Sequence, residues 1–200
     1  MSKKIPTTWT IAACLAGGTP GIPEEKFEET IKDKNSAEIF ELADKFKEEA
    51  VAGLMSKYSD WRAAGLLKSA WFYNKSGTLG GRLEAAKIYA EVGPKCINHE
   101  MVEYIGGYAL DELEELGKIF SEGEKSILEQ VVQETVIDLE KKAEEIAYFP
   151  CRKSREGSYC VECSQASRIY RRALRLSELF DLGSANYIRE KLKSLGWLKD

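Results

Sequence analysis

Leu66-Leu-Lys-Ser-Ala-Trp-Phe-Tyr-Asn-Lys-Ser-Gly77 and, a few residues on, Leu83-Glu-Ala-Ala-Lys-Ile-Tyr-Ala-Glu-Val-Gly-Pro94 decide the fold class. Apolar and small residues return every three or four positions in both pieces, the spacing that gathers them on one side of an α-helix. Ser76-Gly77 closes the first piece and Gly93-Pro94 stops the second, since glycine accepts the left-handed cap and proline lacks the N–H that a helix interior needs. The first helix is expected over 59–75, with Trp61, Ala64, Leu67, Trp71 and Phe72 on its buried side. The second is expected over 79–92, through Leu83, Ala86, Ile88 and Tyr89.

The same periodicity extends outward on both sides. Pro23 followed by Glu24-Glu25 suits the first turn of a helix, where acidic side chains meet the positive end of the dipole. Asn35 or Ser36 can cap the next helix, which carries Ile39, Leu42, Ala43, Phe46 and Ala50 at helical spacing. Beyond Pro94 a helix is expected from Asn98 to Phe120, with Gly106-Gly107 as a soft point. Ser121, ahead of Glu122 and Glu124, starts a long helix reaching Tyr148. Its inner face reads Ile127, Val131, Val132, Thr135, Val136, Leu139, Ala143 and Ile146, and Pro150 ends it. A helix over 164–180 follows. Gly183 then breaks the chain, and Ser184 caps a last helix ending near Leu195. The expected class is all-α, with about eight helices in up-down hairpins, stacked either as a repeat array or as an irregular bundle.

Residues 1–23 read as an extended arm and a Gly/Pro-rich linker, and 24–200 as a single helical domain with a cysteine-rich loop at 150–163. The linker Ala16-Gly-Gly-Thr-Pro-Gly-Ile-Pro23 lacks the Gly-Lys-Ser/Thr ending of a phosphate loop. Ile11-Ala-Ala-Cys14 has the look of a lipoprotein cleavage box. The stretch before it is broken by Pro6, Thr7, Thr8 and Thr10, too short for a working signal, so Cys14 reads as a core thiol.

Small Ala70, aromatic Tyr73 and Gly77, followed by Ala85, Tyr89 and Pro94, resemble the two helices of a tetratricopeptide repeat. Ala166, Tyr170 and Ala173, followed by 185–195, resemble a second. The resemblance covers 66–94 and 166–195. It departs from the strict pattern in the extra residues at the first turn and in an uneven period. It implies helical hairpins packed in a row, with small residues letting helices approach and aromatics filling the grooves.

The 200 residues are 44% hydrophobic and 31% charged, ordinary values for a chain that buries its own core. No apolar run approaches the ~18 residues of a membrane span. The net charge of −4 is split unevenly: residues 151–200 hold eleven Lys/Arg and six Asp/Glu, against eighteen and twenty-seven in 1–150. Five cysteines with no export signal point to a reducing, cytoplasmic setting rather than a disulfide framework.

Cys151, Cys160 and Cys163 fall close together, the last two as Cys160-Val-Glu-Cys163, a spacing that lets two thiolates meet one ion. A fourth ligand could be Cys96, or His99 in its place. If the helices alternate up and down, the connections carrying these residues lie at the same end. Four thiolates suit zinc or an iron–sulfur cluster, and three with a histidine favour zinc. A disulfide or redox pair, and ordinary thiols, are the competing readings.

Arg168, Arg171, Arg172 and Arg175 stand at i, i+3, i+4 and i+7, on one side of a helix whose other side is Ile169, Tyr170, Ala173, Leu176 and Phe180. Arg152, Lys153 and Arg155 precede them. Like charges so spaced call for something negative opposite: the acidic surface of the helix over 98–120 or of the long helix after it, for instance Glu140, Glu144 and Glu145, or the phosphates or carboxylates of a partner. Tyr159 could stack on a base. One histidine, no Gly-x-Ser-x-Gly and no His-Glu-x-x-His leave no complete catalytic constellation. The leading expectation is a non-enzymatic binding or adaptor protein, most naturally of another protein. Nucleic-acid binding through the basic corner and iron–sulfur or thiol redox catalysis are the alternatives.

Overall fold

The computed structural model describes residues 24–52, 60–96, 102–147 and 161–198. Among them the chain is all-helical: α1 Glu24–Ile31, α2 Ser36–Ala52, α3 Asp60–Lys75, α4 Leu79–Lys95, α5 Val102–Ile119, α6 Glu122–Ile146, α7 Val161–Leu179 and α8 Ala185–Ser194, with no strand. Two compact units divide the chain, Met1–Leu116 and Gly117–Asp200. The arm and linker over 1–23, with Cys14, lie outside the described residues. No helix among the described residues is long and apolar enough to cross a membrane.

In the first unit α2 packs on α3 and α3 on α4. Small residues set how closely the helices approach. A Cβ on Gly65 would lie 2.7 Å from Ala50 Cβ. Ser69 donates its hydroxyl to the Ala43 carbonyl at 2.7 Å, so this buried polar group is satisfied across the helix pair. Above it Phe46 stacks on Phe72 and Phe40 meets Tyr73 edge-on, both with ring centroids 5.0 Å apart. The Tyr73 hydroxyl donates to Asp44 of α2. Lys47 of α2 pairs with Glu84 of α4 at 2.9 Å, and Lys87 with the same carboxylate at 2.7 Å. Burial would push Glu84 up, but these two cations outweigh it and hold the carboxyl below its usual range.

The turn between α3 and α4 follows its chemistry. Gly77 takes φ 70, and Thr78 caps α4 by accepting from the Gly81 N–H at 3.0 Å. Asn35 caps α2 through its side-chain oxygen, at 3.0 Å from the Ala37 and Glu38 N–H groups, while Glu38 reaches back to the Asn35 N–H at 2.7 Å. Ser121 and Glu124 start α6 in a similar way, Glu124 accepting from the Ser121 N–H at 2.6 Å.

Three expectations need correction. Helix α4 does not stop at Val92: it runs to Lys95 with Pro94 inside its last turn, where only one intrahelical bond is forfeited. Gly106-Gly107 is not a soft point, since α5 passes through it unbroken. A Cβ on Gly106 would lie 2.7 Å from the Gly93 carbonyl oxygen, and one on Gly93 would lie 2.5 Å from Leu110 Cδ2. These glycines are where the backbones of α4 and α5 meet. Ser184 does not cap α8 with its side chain, which instead lies 3.1 Å from the Ser177 hydroxyl. The chain breaks between α7 and α8 around Gly183, and the left-handed residue there is Asp181, at φ 51.

In the second unit α7 packs against α6 and, less extensively, against α8. The buried face of α6 is Leu128, Val132, Thr135, Val136, Leu139 and Ala143. It is turned by one position at its start from the expected one, leaving Ile127 58% exposed.

Candidate functional site

Helix α7 carries the two features that the sequence singled out, on opposite sides. Its buried face is Cys163, Ala166, Ile169, Tyr170, Ala173, Leu174, Leu176 and Ser177. On the other side Arg168, Arg171 and Arg175 are exposed and Arg172 is half-buried. The 3.6-residue repeat produces this division directly, because Ala166, Tyr170, Ala173 and Ser177 follow i, i+4, i+7 while the arginines follow the same spacing a half-turn away.

Two of the acids expected to face the arginines are held by lysines. Glu144 of α6 is taken by Lys191 of α8, and the Tyr170 hydroxyl donates to the same carboxylate at 3.3 Å. The Lys191 hydrogen bond holds the Glu144 carboxyl below its usual range. Burial alone would lower the Lys191 ammonium, but its bonds to Glu144 and Tyr170 more than reverse that, and the net shift is upward. Glu145 pairs with Lys142 at 3.1 Å on its own helix. Glu140, half-buried beside this cluster, has its carboxyl pushed up by burial. A lysine from α8 reaches the α6 acids because α8 lies over the Tyr170 side of α7, whose ring is 5.0 Å from Lys191 Nζ and 6.0 Å from the Trp197 ring.

Arg171 donates through Nη2 to the Trp197 carbonyl, tying the chain end after α8 to α7. Arg189 of α8 pairs with Glu178 one turn beyond Arg175. A guanidinium has five N–H donors, so one bond to Trp197 leaves Arg171 with donors facing outward.

The proposed sulfur ligands divide between the units. Cys96 belongs to the first and is buried at the end of α4, its N–H pointing back to the Val92 carbonyl at 3.1 Å. Cys163 belongs to the second. Because α7 begins at Val161, earlier than expected, Cys163 sits in its first turn and is fully buried instead of lying in a polar loop. That is the environment of a packed thiol. Cys151, Cys160 and His99 lie outside the described residues, as do Arg152, Lys153, Arg155 and Tyr159. Among the described residues no three or more of His, Cys, Asp and Glu are grouped to hold a metal ion. Ligation of zinc or an iron–sulfur cluster by Cys96, Cys151, Cys160 and Cys163 stands as a proposal for elemental analysis.

The sequence reading missed the Lys191–Glu144–Tyr170 cluster. Its signal was a lysine seven residues past Ser184 on a short helix, which has no meaning until α8 is laid on α6 and α7. Set against protein-family models, curated proteins and solved structures, the chain matches none of them.

Proposed function

We propose that the chain is a non-enzymatic binding protein built of helical hairpins, and that the exposed arginine ridge of α7 docks an acidic segment of a protein partner. The observation that supports this most is the exposure of Arg168, Arg171 and Arg175 in one row while Lys191, not an arginine, neutralises Glu144. Two points favour carboxylates over nucleic-acid phosphates. The row spans seven residues of helix, about 10 Å, which matches two turns of an acidic helix but only a few phosphates. The net charge of −4 also opposes a polyanion approaching over a large area. The resemblance of α3–α4 and α7–α8 to tetratricopeptide hairpins belongs to the same reading, with Tyr73, Tyr89 and Tyr170 buried in the seams.

Each exposed ion pair contributes only about 0.2–1 kcal/mol, so the ridge gives weak, salt-dependent binding that neighbouring contacts must supplement. The test is fluorescence anisotropy of a labelled glutamate-rich helical peptide at low ionic strength, beside a labelled oligonucleotide of equal charge. Peptide binding that weakens at least tenfold in the Arg168→Glu/Arg175→Glu variant, with unchanged circular dichroism, is the expected result. Arg171 is left in place because its loss would also release Trp197. Tighter binding of the oligonucleotide, or no binding of either probe, overturns the reading.

A further inference from the structure

The side chains around Lys191 do more than link α8 to α6. Lys191 Nζ lies 5.0 Å from the centre of the Tyr170 ring and 5.6 Å from that of the Tyr187 ring, both within the distance at which a ring face attracts a cation. Glu144 accepts a hydrogen bond from the same nitrogen. Glu140, half-buried on the same helix as Glu144, brings a second carboxylate whose charge acts on Lys191. These groups have anchors other than the lysine. The Tyr170 hydroxyl donates to Glu144 at 3.3 Å, and the Tyr170 ring is buried beside Trp197. Tyr187 stands on α8, which Ile188 and Leu192 fasten through buried side chains. The other cations of α8 are engaged elsewhere, Arg189 with Glu178 and Asn186, and Lys193 with Glu190 at 3.5 Å. Glu144 and Tyr187 are exposed, so a small molecule has access from solvent.

We propose that Glu144, Tyr170 and Tyr187, with the charge of Glu140 added, form a seat for a primary alkylammonium group, which this chain fills with its own Lys191 and which takes a free alkylammonium once that side chain is gone. The proposal is independent of the docking ridge on α7. The chemistry of the seat selects its ligand. An ammonium is compact and carries three donors, which suits one carboxylate and two ring faces, whereas a planar guanidinium calls for two parallel acceptors. A quaternary ammonium keeps the attraction of the rings but has no N–H for Glu144. In the wild type Lys191 competes from within the chain at high effective concentration, so a free ligand is seen only after the lysine is removed. Because Tyr187 belongs to α8, the seat is complete only while α8 is docked, and filling it must hold α8 in place.

The test is amide hydrogen exchange of the full chain, followed by mass spectrometry on peptides from α8. Lys191→Ala removes the stem and its ammonium, and α8 is expected to exchange faster than in the wild type. Propylammonium replaces what was cut away beyond Cβ. At about 0.1 M it should slow α8 exchange in this variant by about threefold, since the factor is one plus the ratio of ligand concentration to Kd and a seat filled to about two-thirds gives that value. Exchange in α2 and α3 should not respond. Sodium chloride and 1-propanol at the same concentration should have no such effect, and Glu144→Gln added to the variant should abolish the response to propylammonium. Equal slowing by sodium chloride or 1-propanol overturns the proposal. So does slowing that survives Glu144→Gln, or no slowing by propylammonium. If α8 of Lys191→Ala exchanges as an unfolded segment, Lys191→Met, which keeps the apolar stem, takes its place with ammonium chloride as the ligand. Slowing by ammonium beyond that by sodium then supports the seat, and equal effects of the two salts overturn it.

Discussion

Gly93 and Gly106 act by having no side chain rather than by bending the backbone. A Cβ on Gly106 would sit 2.7 Å from the Gly93 carbonyl and 2.9 Å from the Cys96 backbone, and peptide groups cannot swing aside as a flexible side chain can. Gly106→Ala should therefore cost stability despite the better helix propensity of alanine. The expected loss is about 1–3 kcal/mol, the range for forcing a methyl into a filled interior, read as a fall in urea midpoint at unchanged slope. Asp181 works in the other direction. The Leu182 N–H reaches the Ser177 carbonyl at 2.8 Å and the Asp181 N–H reaches Glu178, the two bonds of a cap whose turning residue adopts φ 51. Aspartate tolerates that conformation less well than glycine. Asp181→Gly should raise stability by up to about 1 kcal/mol, measured in the same denaturation series.

Helix α8 is ten residues long, too short to hold its shape in isolation, so its contacts decide whether it forms. Ile188 and Leu192 supply its buried side, and Lys191 pins it to Glu144 and Tyr170. The two acids beside Lys191 give opposite pH responses. The Glu144 carboxyl lies lower in the folded state, so its contribution is complete above the ordinary glutamate value of about 4.3 and disappears as pH falls through the folded one. The Glu140 carboxyl lies higher when folded, so its ionised form opposes folding at neutral pH, and that penalty vanishes on acidification. Glu144→Gln should lower the melting temperature at pH 7 and flatten its fall toward pH 3. Glu140→Gln should raise the melting temperature at pH 7 and leave it unchanged near pH 3. Thermal melts of both variants across that range check the pair of signs. Equal responses would place Lys191 differently between the two carboxylates.

At the scale of the whole molecule, the charge written into the chain becomes surface in both units: exposed carboxylates, with Lys45 among them, on α2, and exposed arginines on α7. The salt dependence of binding is the test that belongs here. Screening shortens to about 3 Å at 1 M salt, so affinity carried by exposed arginines must decline with ionic strength. Affinity that ignores salt would move the interaction to an apolar surface and away from the ridge.

Sequence alone determined the elements. Periodicity, Asn35, the Ser121–Glu124 start, Gly77 and the arginine row are local features, spaced within a turn or two of helix, and local physics settles them. It could not decide matters that depend on what lies across a helix–helix contact. The packed glycines at 93 and 106, the burial of Cys163, the turned face of α6 and the lysine that takes Glu144 all arise where distant segments compete for the same space or charge. Helical spacing says which residues share a face. Only the tertiary structure decides which face is covered, because covering it requires a neighbour that the local sequence does not contain.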